Sequence, residues 1–290
     1  MRLFITLPLL IILTAFSGCG DTSTTAEFVD IRPAYSTLIR VPSDVPTIQE
    51  AIDVADALDT VLVADGVYTG RGNRDIDFGG KSIILLSENG PLSTVINCMG
   101  NSREEHSGLI IMDRANDAVV DGFTIKNAYI NSGGAVYIRN SSPVIKNCVF
   151  AYNYATTSGG AVWCKGSSPV FENCTFVGNS SMSGGAMFVS ATSLPTLDKC
   201  IVAFSEEGGG IHSNESSSQP VLTCCDVYDN IGGNWSGSIV DQSGMNGNIE
   251  ADPDFCDLGN GDFRLKASSP CIPVNNKCAM LIGALDAGCE

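Results

Sequence analysis

Four stretches of the chain repeat one another almost residue for residue. They begin at Gly133-Gly134-Ala135-Val136, Gly159-Gly160-Ala161-Val162, Gly184-Gly185-Ala186-Met187 and Gly208-Gly209-Gly210-Ile211. Each runs on to a proline (Pro143, Pro169, Pro195, Pro220) and then a cysteine (Cys148, Cys174, Cys200, Cys225), both series keeping intervals of 26, 26 and 25 residues. A fixed period in the twenties marks a solenoid, in which one turn of chain cannot bury its own apolar face and must stack on the next.

Short apolar runs such as Val136-Tyr137-Ile138, Val144-Ile145 and Cys148-Val149-Phe150 alternate with Gly-Gly, Ser-Ser-Pro and Asn-containing breaks. That pattern reads as strands and turns. The leucine-rich pattern is absent, and no stretch of 108–230 carries a helical apolar stripe. The expected fold is all-β: a parallel β-helix, a single-stranded solenoid of about 25 residues per coil. The period extends upstream. Leu109–Met112 sits 26 residues before Ala135–Ile138, and Phe123 sits 25 before Cys148. Ile83–Leu86 with Val95–Cys98 forms an earlier coil.

Ahead of the coils, Thr47-Ile48-Gln49-Glu50 reads as a capping box, with Thr47 as N-cap and Glu50 reaching back. Ile48, Ala51, Ile52, Ala55 and Leu58 then fall on one face of a short helix. Such a helix would cover the open strand edges of the first coil.

Thr47–Ile52, Val61–Tyr68 and the coils resemble the pectin-lyase-like superfamily of right-handed parallel β-helices. The Gly-Gly-Ala-Val and Phe-x-x-Asn tetrapeptides (Phe150–Asn153, Phe176–Asn179) are similar to the repeats of polymorphic outer-membrane proteins. The resemblance covers residues 41–285. It implies the right-handed winding. It leaves activity open, because the fold hosts lyases, hydrolases, adhesins and proteins without chemistry.

Arg2, the apolar stretch Leu3–Ala15 and Phe16-Ser17-Gly18-Cys19 form a secretory leader, too short to span a membrane. Its end resembles a bacterial lipobox, which implies lipidation of Cys19 and an envelope-anchored protein; ordinary cleavage and secretion is the alternative, since Phe16 replaces the usual Leu. The expected organisation is a signal peptide over 1–18, a tether over 19–40, the β-helix over 41–250 and a disulfide-bonded closing segment over 251–290. That last segment is expected to finish the final coil and cover its edge. A net charge of −16 argues against nucleic acid and against electrostatic docking to anionic lipid, leaving the lipid as the only membrane contact. A monomer is expected.

Cys148, Cys174, Cys200 and Cys225 lie in one repeat column and read as small buried thiols. Cys256, Cys271, Cys278 and Cys289 fall outside the repeat and read as disulfide partners in an exported compartment. Four cysteines allow three pairings. The short loops favour Cys256–Cys271 with Cys278–Cys289.

Strand alternation turns the columns of Val136 and Ile138 inward, so the column between them, Tyr137, Trp163, Phe188 and His212, faces out. A row of rings on consecutive coils suits a polysaccharide or cell-surface glycan. Two alternatives are that the rings only stabilise one another, by ~0.2–1 kcal/mol per pair, or that the C-terminal segment folds over them. Arg139 and Lys165 lie beside the row, with Asp113 expected in the equivalent place one coil earlier. No outward carboxylate cluster joins them, so no catalytic residue is assigned. The favoured function is a non-catalytic binding surface; a polysaccharide lyase or hydrolase, or an envelope spacer without ligand, are the alternatives. No cofactor or metal site is assigned. Ca²⁺ at Asp75 and Asp77, otherwise turn and edge residues, stays open. His106 reads as a surface residue, and Asn153, Asn179 and Asn230 read as ladder residues at the turns, tolerating the left-handed conformation and bonding through their amides to the coils above and below.

Overall fold

The computed structural model describes residues 36–235 and 237–289. The expected signal peptide, Cys19 and most of the tether lie outside them. The chain winds as a parallel β-helix. Among the described residues, the first sheet stacks eight strands, from Leu38–Val41 to Val221–Thr223. The second stacks seven, from Gly66–Tyr68 to Asp226–Tyr228, and the third six, from Ile76–Asp77 to Ile211–Ser213. A short fourth sheet, Tyr129–Ser132, Tyr154–Ser158 and Ser180–Ser183, fills the corner between the second and third. The first strand starts at Leu38, inside the stretch expected as tether.

Alternation fills the core. Val136, Ile138, Val162, Cys164, Met187 and Val189 point inward on the third sheet, all at most 1% exposed. On the second sheet Phe150 and Phe176 stack at 4.9 Å between centroids. The helix spans Ile48–Val54, with the Thr47 hydroxyl accepting from Glu50 N at 3.2 Å. It buries Ile48, Ala51 and Ile52 against the first coil. Leu58 was expected on the same face. The helix stops before it, at Ala55, and Leu58 is exposed.

Three corner columns tie coil to coil through side chain–backbone hydrogen bonds. At the corner after the second sheet, Asn153 Oδ1 accepts from Ala128 N (3.1 Å) and Asn179 Oδ1 from Asn153 N (3.0 Å). Their amide groups donate back to the Ile125 and Phe150 carbonyls. Asn230 repeats the pattern with Ser205 N and Val202 O. The left-handed residue is the one before each asparagine: Tyr152, Gly178 and Asp229 have φ of 55°, 61° and 46°. The asparagines themselves are not left-handed, and the expected ladder of their amides forms, each side chain bonding to the backbone of the coil before. At the corner before the first sheet, Ser141, Ser167 and Ser193 accept from the backbone of the preceding coil at 3.1–3.2 Å. At the third corner the cysteine column plays the same part, with Cys148 Sγ accepting from Phe123 N and Cys225 Sγ from Cys200 N. All four ladder cysteines are free and buried, and burial pushes the Cys148 thiol up to about 12.

The last coil is closed by residues 237–249. Ile239 enters the core, Gln242 pairs with Leu222 N and Pro220 O, and Asn248 Oδ1 accepts from Cys225 N. The segment beyond, expected to finish the coil, instead folds back along the solenoid. Phe255, Phe263, Leu265, Ile272, Ile282 and Leu285 pack on Val149, Ala151, Val177, Ile201 and Ala203, the outward face of the second sheet. The disulfides follow this path: Cys224–Cys278 and Cys256–Cys289. The expected pairings of Cys256 with Cys271 and of Cys278 with Cys289 do not form. Short loops mattered less than the return of the chain over the sheet, which turns Cys271 inward, free and buried.

Cys271 meets Asp226 there. In register with Val149, Thr175 and Ile201, Asp226 occupies an outward position that the cover seals to 0% exposure. It accepts from Ala251 N at 3.1 Å and from the Cys271 thiol at 3.3 Å. Burial pushes its carboxyl up to about 7, and Asp252 and Glu250 add to the shift.

Two outcomes follow. Asn179→Ala strands Asn153 N and Phe150 O inside the protein and should cost about 2–3 kcal/mol in denaturant unfolding. A cost within a few tenths of that of an exposed Asn→Ala control would contradict the corner account. The folded state holds the Asp226 proton more tightly than the unfolded chain. Its stabilisation is therefore full below about pH 4 and is lost as pH rises through about 7, a loss bounded at about 4 kcal/mol. Asp226→Asn should flatten this part of the pH profile and raise Tm at pH 8; an unaltered profile would refute the assignment.

Candidate functional site

The Gly-Gly pairs set the geometry of the third sheet. Gly133, Gly159 and Gly184 have φ of 68°, 66° and 65°, and each turns the chain sharply out of the corner sheet. At Gly159 a Cβ would strike the Val162 carbonyl. The fold-back sets the corner strands beside the outward face of the third sheet. A cavity of about 670 Å³ lies in that angle. Tyr137, Trp163 and Lys165 line it with Ile110 and Met112, and Ile130, Asn131 and Ser132 form the facing wall.

The outward ring column divides into two stacked pairs. Tyr137 and Trp163 lie 4.5 Å apart at 15° between planes; Phe188 and His212 lie 5.8 Å apart at 13°. Phe188 is buried at 9% exposure and His212 half-buried, and neither lines the cavity. The C-terminal segment packs on a different sheet, so it does not cover the rings. Lys165 Nζ stands 5.9 Å from the Trp163 ring centroid, in cation–π range. Arg139 turns to Asp113 instead, with Nη2 3.2 Å from Oδ2. Asn140 Nδ2 donates to the other oxygen at 3.0 Å, and these two bonds, Asn140's first, hold the Asp113 carboxyl below its ordinary value.

The upstream register differs by one residue from the expected period. Val136 pairs with Leu109, 27 residues earlier, so Ile110 continues the outward row and Met112 stands beside Arg139. Asp113 was expected in that place; it falls one residue further, level with Asn140. The register matters to the site. Where Tyr137 has a ring on one side, it has only the shorter Ile110 on the other, and this step gives the cavity its depth.

Asp75 and His106, expected as isolated turn and surface residues, form the far end of the site. Asp75 Oδ2 lies 2.7 Å from His106 Nδ1, and Oδ1 accepts from Ser107 N at 2.7 Å. Asp75 lines the ring-bearing cavity and also a second, adjoining one of about 720 Å³, with Thr47, Gln49, Glu50, Asp53, Arg71, Gly72, Arg74 and His106. Both residues sit in irregular loops, where repeat spacing gives no register. Among the described residues, no three His, Cys, Asp or Glu side chains gather closely enough to hold a metal ion.

The model of a family described as "Right handed beta helix region" matches residues 82–249. No curated protein matches the chain. Two solved structures of pectin methylesterase are similar. One, in complex with hexasaccharide VII, is 15% identical over 67% of this chain and 66% of that one, with a TM-score of 0.41. The other, a mutant in complex with hexasaccharide IV, is 16% identical over 69% and 66%, with a TM-score of 0.36. The chain thus spans just under two thirds of their length. Likeness of this size bears on neither substrate nor activity.

Proposed function

Because the chain belongs to the right-handed β-helix family, a fold that leaves chemistry to its surface, we propose that it binds saccharide, without catalysis, in the groove of Tyr137 and Trp163. One observation carries this: a stacked Tyr–Trp pair lines an open groove of about 670 Å³ and contributes to no core. The columns on either side of the rings, those of Val136 and Ile138, are spent on the core. Aromatic rings with a polar tip suit sugars, which offer apolar C–H faces and hydroxyl edges. Asn131, Ser132 and Ser107 supply hydrogen-bonding groups on the opposite wall, the usual mixture for a binding site.

The protein is exported and held at the cell envelope by a lipid on Cys19, with the residues before Leu38 as tether, and acts as a monomer. The leader residues support export. So do the two disulfides, which belong to an oxidising compartment.

Trp163→Ala and Tyr137→Ala should each weaken retention on immobilised glycan by about tenfold. Each should lower stability by no more than about 1 kcal/mol, the worth of one ring pair. Unchanged retention in both variants would refute the groove as the binding site.

A further inference from the structure

The ring groove has an apolar pit at its upstream end. The outward row steps down from the rings of Trp163 and Tyr137 to Ile110, one coil earlier. Ile110 and Met112 line the cavity there on one side and Ile130 on the other, all three half-buried. The antiparallel bridge of His106 to Tyr129 ties the two sides together. It sets Ser107, just ahead of the strand of Ile110, against the start of the strand that carries Ile130 and Asn131.

Ser107 and Asn131 both line the cavity, and each keeps one hydrogen-bonding capacity. Ser107 is buried at 6% exposure. Its hydroxyl donates to Asp75 Oδ1 at 3.2 Å, so its oxygen is left to accept. Asn131 is committed the other way round. Its Oδ1 accepts from Ser132 Oγ at 3.1 Å, while Nδ2 gives one proton to Thr156 Oγ1 at 3.4 Å and keeps the second to donate.

A pit for an apolar group, one acceptor and one donor define a substituent. A sugar stacked on Tyr137 projects its equatorial groups sideways, over the step to Ile110. An acetamido group there carries a terminal methyl, one C=O and one N–H. A bare methyl would leave both polar groups unanswered, and an acetyl ester would lack the proton that Ser107 can accept. A carboxylate would face Asp75. We infer that the ligand is a saccharide of N-acetylated amino sugars. The acetamido methyl enters the pit of Ile110, Met112 and Ile130, the carbonyl accepts from Asn131 Nδ2, and the N–H donates to Ser107 Oγ. This rests on the saccharide reading of the ring groove and names the class of sugar that groove takes.

Calorimetry on the full chain tests it with three β-linked tetrasaccharides that differ only at C2, which bears acetamido, formamido or hydroxyl. The formamido form keeps the amide and lacks the methyl. The acetamido form should bind about tenfold tighter than the hydroxyl form, with the formamido form between them. Ile110→Thr should bring the acetamido form down to the formamido one, and Ser107→Ala should narrow the gap between the formamido and hydroxyl forms. Trp163→Ala should weaken all three alike and keep their order. Thermal unfolding serves as each variant's control for folding. Equal affinity for all three forms in the unaltered protein, or a formamido form bound as tightly as the acetamido form, overturns the acetamido site and spares the ring groove. So does retention of the full preference in both Ile110→Thr and Ser107→Ala. Binding of none of the forms removes both readings.

Discussion

The structure depends on the hydrogen bonds that close the corners of each coil. Strand ladders satisfy the backbone only where strands run parallel; at every corner the chain bends away and leaves buried N–H and C=O groups without strand partners. Such groups cost about 1–3 kcal/mol each when unpaired. Asparagine, serine and cysteine side chains answer this at three different corners, each accepting from the backbone of the coil before. Because each coil supplies the partner for its neighbour, the corners act together, and the same residue type recurs at the same place. The cysteines serve because a small thiol fits a tight interior corner, and burial keeps it neutral.

A fold built this way uses nearly all of its repeated residues on itself. Inward positions fill the core, corners carry ladders, and the outward face of the second sheet lies, in its later coils, under the chain's own C-terminal segment, tied to the solenoid by Cys224–Cys278 and within itself by Cys256–Cys289. The outward face of the first sheet stays open as well, with Val170 and Val221 exposed, but carries no ring; the stacked rings lie on the outward face of the third sheet. There the sharp turn at the Gly-Gly pairs sets the corner strands at an angle to the ring-bearing strands, and the groove is the space between them. Binding capacity thus comes from the same glycines that permit the corner.

The winding, the strand assignment and the outward direction of Tyr137 and Trp163 were legible in the sequence, because stacking forces equivalent residues to be chemically alike. Apart from Phe188, which stands in regular register, the failures share one physical origin: they lie where the repeat is interrupted. The coil before Val136 is one residue longer, which moved Ile110 outward and displaced Asp113 from the column beside Arg139. Asp75 and His106 meet across irregular loops, 31 residues apart, with nothing periodic to relate them. Phe188 keeps the outward direction of its column but is buried all the same. Cys271 and Cys224 could not be sorted into bridge and thiol, because the cover's path over the second sheet is set by apolar packing that spacing does not encode.

The central claim is that the Tyr137–Trp163 pair is left over by the fold for a ligand. The chain has two tryptophans, Trp163 and Trp235. Fluorescence titration of the Trp235→Phe variant with oligosaccharides reports on Trp163 alone. The account predicts a saturable change in emission there, and none in the Trp163→Phe variant, whose remaining indole lies outside the groove. A silent Trp163 in the presence of saccharide that the protein demonstrably retains would contradict it.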